Sequence, residues 1–178
     1  MNSINLTSKE QSGLLYNPSI FDYLELMKPK VMSLVIFTTL VGMYLAPNHI
    51  HPVLSFFSIV AIALGAGSAG AMNQWIDQDV DSVMLRTKER PIPSGRVDPA
   101  EAITFSLVVA LISIIMLGLA SNWFAASLLL FTIIFYSVIY SIILKRKTPQ
   151  NIVIGGAAGS LPPVIGWVSM TGNISLFP

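Results

Sequence analysis

The chain has 178 residues, 53% of them hydrophobic and only 11% charged, with a mean hydropathy of +0.70. A soluble domain carries roughly 25% charged residues, so the composition is that of a membrane protein. The net charge of +1 argues against a general nucleic-acid binder, and the absence of cysteine excludes disulfides and thiolate metal sites.

Residues 1–17 are polar and have neither the apolar core of a signal peptide nor the Arg-rich character of a transit peptide. They read as a cytoplasmic tail, and residues 18–178 as one membrane domain. Asn17-Pro18 is the expected helix start, with Asn as cap and Pro in the first turn. The first span is expected from about Val31 to Ala46, extended backwards by Phe21 to Met27. Pro47 to Pro52 forms a turn carrying His49 and His51, which read as ordinary loop histidines rather than ligands. The second span runs from Val53 to about Trp75. Its end, Leu64 to Ala71, consists almost wholly of small residues that allow close helix approach.

A charged block follows, the connection 77–101, in which Pro91 and Pro93 preclude a regular helix. Asp98-Pro99 then restarts one, with Asp as cap. The third span is Ile103 to Ala120, Ser121-Asn122 is a tight turn, and the fourth span is Trp123 to Leu144. Lys145-Arg146-Lys147 stops it, and Asn151 to Met170 is the fifth. Gly155, Gly156 and Gly159 read as points of close helix contact, Pro162-Pro163 as a kink, and Trp123 and Trp167 as interfacial anchors. The expected fold is therefore an all-α polytopic transmembrane bundle of five spans, each near the ~20 residues a bilayer requires. All ten Lys and Arg lie in the tail, at Lys28 and Lys30 just before Val31, or in the 2–3 and 4–5 connections, which sets the N-terminus in the cytoplasm.

Asn73, Asp77 and Asp81 are spaced four apart. On a helix they share one face, with about 6 Å of axial rise between neighbours, while Asp79 falls on the opposite side. Mg²⁺ takes oxygen ligands, often one or two carboxylates completed by water and substrate phosphates. Asp77 and Asp81 supply carboxylates and Asn73 an amide oxygen. Arg86, Lys88 and Arg90 follow closely and suit diphosphate oxygens. A calcium loop is excluded, because its sixth position is Ser82 and its twelfth Lys88. The bland alternative is a solvated charged loop that only fixes topology. Tyr136 and Tyr140, four apart on the fourth span, either face a cavity and stabilise a cation or pack between helices. Asn151 is either a cap or a ligand contact, and Trp75 is open between site and packing.

Asn73-x-x-x-Asp77-x-x-x-Asp81 resembles the first Asp-rich motif of the UbiA-type intramembrane prenyltransferases. Met84-Leu-Arg86-Thr87, Arg90-Pro91 and the Gly-rich fifth span ending in Pro162-Pro163-Val-Ile-Gly166-Trp167 resemble the heme-farnesylating branch, over about Leu24 to Gly172. The resemblance implies transfer of a farnesyl group from farnesyl diphosphate to a vinyl group of heme b in a bacterial inner membrane. It implies that Asn73, Asp77 and Asp81 bind the diphosphate through Mg²⁺, with Asp77 and Asp81 catalytic. Arg86 and Arg90 would contact the diphosphate directly, and Lys28 matches a basic position facing the site. Such proteins have about nine spans and a second Asp-bearing region, against five spans here. The expectation is an incomplete catalyst, completed by further chain or a second polypeptide. The rival readings are a UbiA-type enzyme with an aromatic or quinone-precursor acceptor, a non-catalytic membrane fragment, and a small transporter. No ionisable residue lies between Val31 and His49 or between Val53 and Asp77, which disfavours the last.

Overall fold

The structure is a computed structural model that describes residues 17–144 and 151–174, with side chains at 143, 144, 151–154, 157 and 158 outside the description. The described residues are helical, without strands. In order they form α1 (Ile20–Leu26), α2 (Pro29–Leu45), α3 (Pro52–Ile76), the short α4 (Gln78–Val83), α5 (Pro99–Ala120) and α6 (Trp123–Ile134). Helix α6 continues as a π-helix over Phe135–Leu144, and α7 spans Asn151–Thr171. Three helices are long and apolar enough to cross a membrane: Pro52–Ile76, Pro99–Ala120 and Trp123–Ile142. The bent pair α1 and α2 makes a fourth if counted as one span. Helix α7 covers the residues of the expected fifth span and is not among these candidates, so three or four of the five expected spans are found among the described residues. Phe37, Phe56, Leu111 and Leu119 are exposed along these helices, as lipid-facing side chains of a polytopic bundle are.

Local chemistry sets the helix ends. Asp98 accepts from the Ala100 N–H at 2.8 Å, with Pro99 in the first turn, so α5 starts where its cap predicts. The first helix is capped differently from the expectation. Ser19, not Asn17, is the cap: its hydroxyl accepts from the Phe21 N–H, and Asp22 accepts from the Ser19 N–H at 2.9 Å. This reciprocal box outcompetes the Asn-Pro pair because Asp22 stands three residues after Ser19. The chain bends by 59° between α1 and α2. Lys28, at the break, has φ 55 and is the sole positive-φ residue other than glycine among the described residues.

Helix α3 is central, packing on α2, α5, α6 and α7, while α2 also packs closely along α7. The main core joins Met43, Ile62, Leu117, Leu129, Ile165 and Val168. A smaller cluster of Leu26, Ala71, Ile92, Val97 and Ala102 seats the 84–98 loop against α1 and the ends of α3 and α5. Trp123 is exposed, as an interfacial anchor is, but Trp167 is buried in the core, so its anchor role is withdrawn. It faces inward because Gly166 lets α7 approach α2 closely; a Cβ there would lie 2.5 Å from the Thr39 carbonyl oxygen. Helix α7 runs through Pro162 and Pro163 without a break in its helical span. Gly156 and Gly159 face open space, so of the three glycines expected at contacts Gly155 alone serves one.

Asn122 fastens the tight turn between α5 and α6. Its carbonyl accepts from the Ala125 N–H at 2.8 Å, and its amide donates to the Val168 carbonyl at 2.9 Å. Asn122→Ala should therefore cost about 1–2 kcal/mol, as loss of a good cap does, and lower the melting temperature of the detergent-solubilised protein. An unchanged melting temperature would contradict this role.

Candidate functional site

Every fourth residue of the second half of α3 falls on one stripe. Gly65 and Ala69 on that stripe line an apolar cavity of about 200 Å³, bounded also by α2, α6 and α7. Asn73, Asp77 and Asp81 continue it beyond the cavity. The backbone permits this because helical bonding survives the α3–α4 junction: the Asp77 N–H donates to the Asn73 carbonyl at 3.0 Å, and the Asp81 N–H to the Asp77 carbonyl at 2.8 Å. All three side chains are buried, at 4%, 2% and 4% exposure, whereas Asp79 is exposed on the far side. Carboxylates are almost never this buried without partners, so their surroundings matter.

Those partners come from four elements. The Asn73 amide donates to Asp77 Oδ2 and to Ser141 Oγ, each at 2.9 Å, and its oxygen accepts from Lys28 Nζ at 2.5 Å. Asp81 Oδ2 accepts from Arg90 Nη1 at 2.5 Å, and the Thr87 hydroxyl donates to the Asp81 carbonyl at 3.0 Å. Lys28 reaches the stripe from the α1–α2 bend. Gln74 holds that bend by donating to the Leu26 and Glu25 carbonyls at 3.0 and 3.3 Å, the latter also accepting from the Lys28 N–H at 3.1 Å. Gly70 makes room, since a Cβ there would lie 3.3 Å from the Met27 carbonyl oxygen.

Lys28 and Tyr136 both line the cavity, so its mouth adjoins the polar stripe. Tyr140 stacks on Tyr136 with centroids 5.3 Å apart, but its ring fills the space that Gly155 leaves open, so it packs on α7. Trp75 packs with the Leu26 cluster. Arg86 and Lys88 lie exposed on the loop. The Asn151 side chain and Lys145-Arg146-Lys147 lie outside the described residues. His51 caps α3 by accepting from the Val53 N–H at 3.3 Å, and His49 is exposed, so neither approaches the stripe.

Gln74, Thr87, Arg96 and Ser141 escaped the sequence reading. An amide inside an apolar span was the available signal for Gln74. Ser141 carried none, because only the π-helix turns it toward Asn73; its hydroxyl donates to the Tyr136 carbonyl five residues back at 2.9 Å. Arg96 donates to Asp22, and to Glu25 at 2.9 Å. Burial alone would lower the pKa of its guanidinium, but the Glu25 and Asp22 carboxylates outweigh that and hold it above the usual arginine value.

Residues 35–178 match the model of the UbiA prenyltransferase family. The chain belongs to the UbiA prenyltransferase family. Among its relatives, a protoheme IX farnesyltransferase of Rhizobium rhizogenes is 56% identical over 169 residues, 95% of this chain and 53% of that protein. Proteins of the same name from Rhodopseudomonas palustris and Agrobacterium fabrum are 60% and 58% identical, over 90% and 93% of this chain and 51% and 52% of theirs. The chain thus spans about half the length of the curated relatives it matches. No solved structure matches it.

UbiA prenyltransferases generally use Mg²⁺ in binding a diphosphate. Among the described residues no three His, Cys, Asp or Glu side chains converge as a protein-only metal cage. Two buried carboxylates beside a cavity fit the alternative, in which phosphate oxygens and water complete the shell. Asn73 Oδ1, the third expected ligand, is engaged by Lys28 in this arrangement.

Proposed function

We propose that this chain carries the diphosphate site of an enzyme that transfers the farnesyl group of farnesyl diphosphate to a vinyl group of heme b, giving heme O. The observation behind it is the single α3 stripe that runs from an apolar cavity to two buried carboxylates. Relatives named protoheme IX farnesyltransferase support the acceptor.

Asp77 and Asp81 would hold Mg²⁺ from the protein side, with Asn73 beside them. A bound ion would supply positive charge to the diphosphate leaving group. Arg90 and Lys28 turn from Asp81 and Asn73 to the phosphate oxygens, and Arg86 and Lys88 lie on the same loop to join them. The cavity receives the isoprenoid tail and keeps water from the allylic cation, and the Tyr136 ring in its lining is placed to stabilise that cation. Asn151 starts the helix on the far wall. The basic connections, the tail and loop 77–101 lie on the cytoplasmic side of a bacterial inner membrane.

The test incubates the chain, alone and joined to the half of a relative's length that it does not cover, in nanodiscs with Mg²⁺, farnesyl diphosphate and either heme b or 4-hydroxybenzoate, with products read by mass spectrometry. A farnesylated heme is expected from the joined protein. Prenylated benzoate alone would move the chain to the aromatic-acceptor enzymes, and no product with either would leave a non-catalytic membrane protein.

A further inference from the structure

Resting on the diphosphate reading above, we propose that Arg96 is a positioning residue that fixes the two cations of the site, Lys28 and Arg90, in one frame. Its guanidinium uses all three nitrogens. Nη1 donates to Asp22, Nη2 to Glu25 at 2.9 Å and to the Glu89 carbonyl at 2.7 Å, and Nε to Ser94 at 3.1 Å.

The two sides of this clamp lead to the two cations. On one side, the Asp22 side chain is 4% exposed, and its second oxygen accepts from the Ser19 N–H, so the carboxylate is pinned to α1. Helix α1 ends at Leu26, and two residues later Lys28 reaches Asn73. On the other side, Glu89 immediately precedes Arg90, which reaches Asp81. Ile92 and Val97, flanking this turn of the loop, pack on Leu26 in the same apolar cluster. Arg96 thereby joins α1 to the backbone beside Arg90.

A diphosphate presents its oxygens at a fixed separation, so the cations that grip it must hold theirs. A displacement of about 1 Å costs on the order of a hundredfold where geometry governs rate. Lysine cannot reproduce the clamp, because a compact ammonium lacks the planar fork that serves several acceptors at once. The exposed cation Lys30 serves as the contrast.

The experiment titrates Mg²⁺-pyrophosphate and, separately, farnesol into the protein in nanodiscs, with thermal unfolding alongside. Arg96→Gln, Arg96→Lys and the double variant Asp22→Asn/Arg96→Gln are compared with Arg90→Gln. The double variant leaves no buried carboxylate without its cation, so its unfolding temperature stays close to wild type. Its pyrophosphate affinity should fall at least tenfold while its farnesol affinity holds, with Arg96→Lys intermediate. Wild-type pyrophosphate affinity in the double variant would overturn the proposal, as would parallel loss of both ligands with the unfolding temperature. If Arg90→Gln also binds pyrophosphate normally, the diphosphate reading itself fails and takes the clamp with it.

Discussion

Asp81→Asn should lower farnesyl transfer by about 10²–10³-fold, the range seen when one preorganised electrostatic contact to a transition state is removed. The substitution keeps the shape of the side chain and deletes its charge. Asp81 is 4% exposed and accepts from Arg90 at 2.5 Å, so the lost charge acts in a site with little water to screen it. Two effects combine. The metal loses one of its two carboxylates, and Arg90 loses the partner that aims it along the stripe. Structural cost should be smaller, because the Arg90 side chain is 27% exposed and can turn to water. Steady-state kinetics against farnesyl diphosphate and Mg²⁺ should therefore show a higher Mg²⁺ requirement and a lower kcat, with a modest change in melting temperature. Asp77→Asn should behave alike, since Asp77 is the acceptor for the Asn73 amide. Undiminished turnover in both variants would remove the metal site from the account.

Gly42→Ala should destabilise the protein by about 3 kcal/mol, the upper part of the range for overpacked interiors. A Cβ at Gly42 would lie 2.0 Å from the Pro163 carbonyl oxygen and 2.8 Å from its Cα. Both are backbone atoms, so no rotamer change relieves the clash. Proline fixes φ at that point, which stiffens α7 further. Helices α2 and α7 would have to separate along an interface that also includes Gly166 against Thr39. The control is Gly156→Ala on the same α7, where a Cβ would meet nothing within 4 Å. It should be neutral or gain up to about 1 kcal/mol of helix propensity. Thermal unfolding in detergent separates the two, and equal melting temperatures would contradict the packing.

The polar stripe was legible because charge is scarce in this chain. Asn73, Asp77 and Asp81 stand four apart at the end of an apolar run, and a helix necessarily aligns them. The Asp98 cap and the Ser121-Asn122 turn were legible for the same local reason. What the sequence hid depends on partners far along the chain. Lys28 adopts its left-handed conformation only because Gln74 and Gly70, more than forty residues later, hold the bend from the side. Arg96 read as one more loop cation until its partners on α1 were seen. The small residues of α3 announced close packing, but not that Gly65 would face Leu129 and Gly67 would face Met27. Glycines of α7 pointed to contacts that only Gly155 and Gly166 make, because the sequence does not say which side of a nearly uniform apolar helix faces its neighbours.

The central claim is that the α3 stripe binds a divalent ion together with a diphosphate, and manganese tests it directly because its electron paramagnetic signal reports its own binding. Arg90 donates to Asp81 and Lys28 to Asn73, so pyrophosphate, which attracts both cations, should sharply raise manganese affinity. The account predicts one manganese bound per chain only when pyrophosphate is present, and none in Asp77→Asn/Asp81→Asn. Manganese binding that ignores pyrophosphate and survives both substitutions would contradict it.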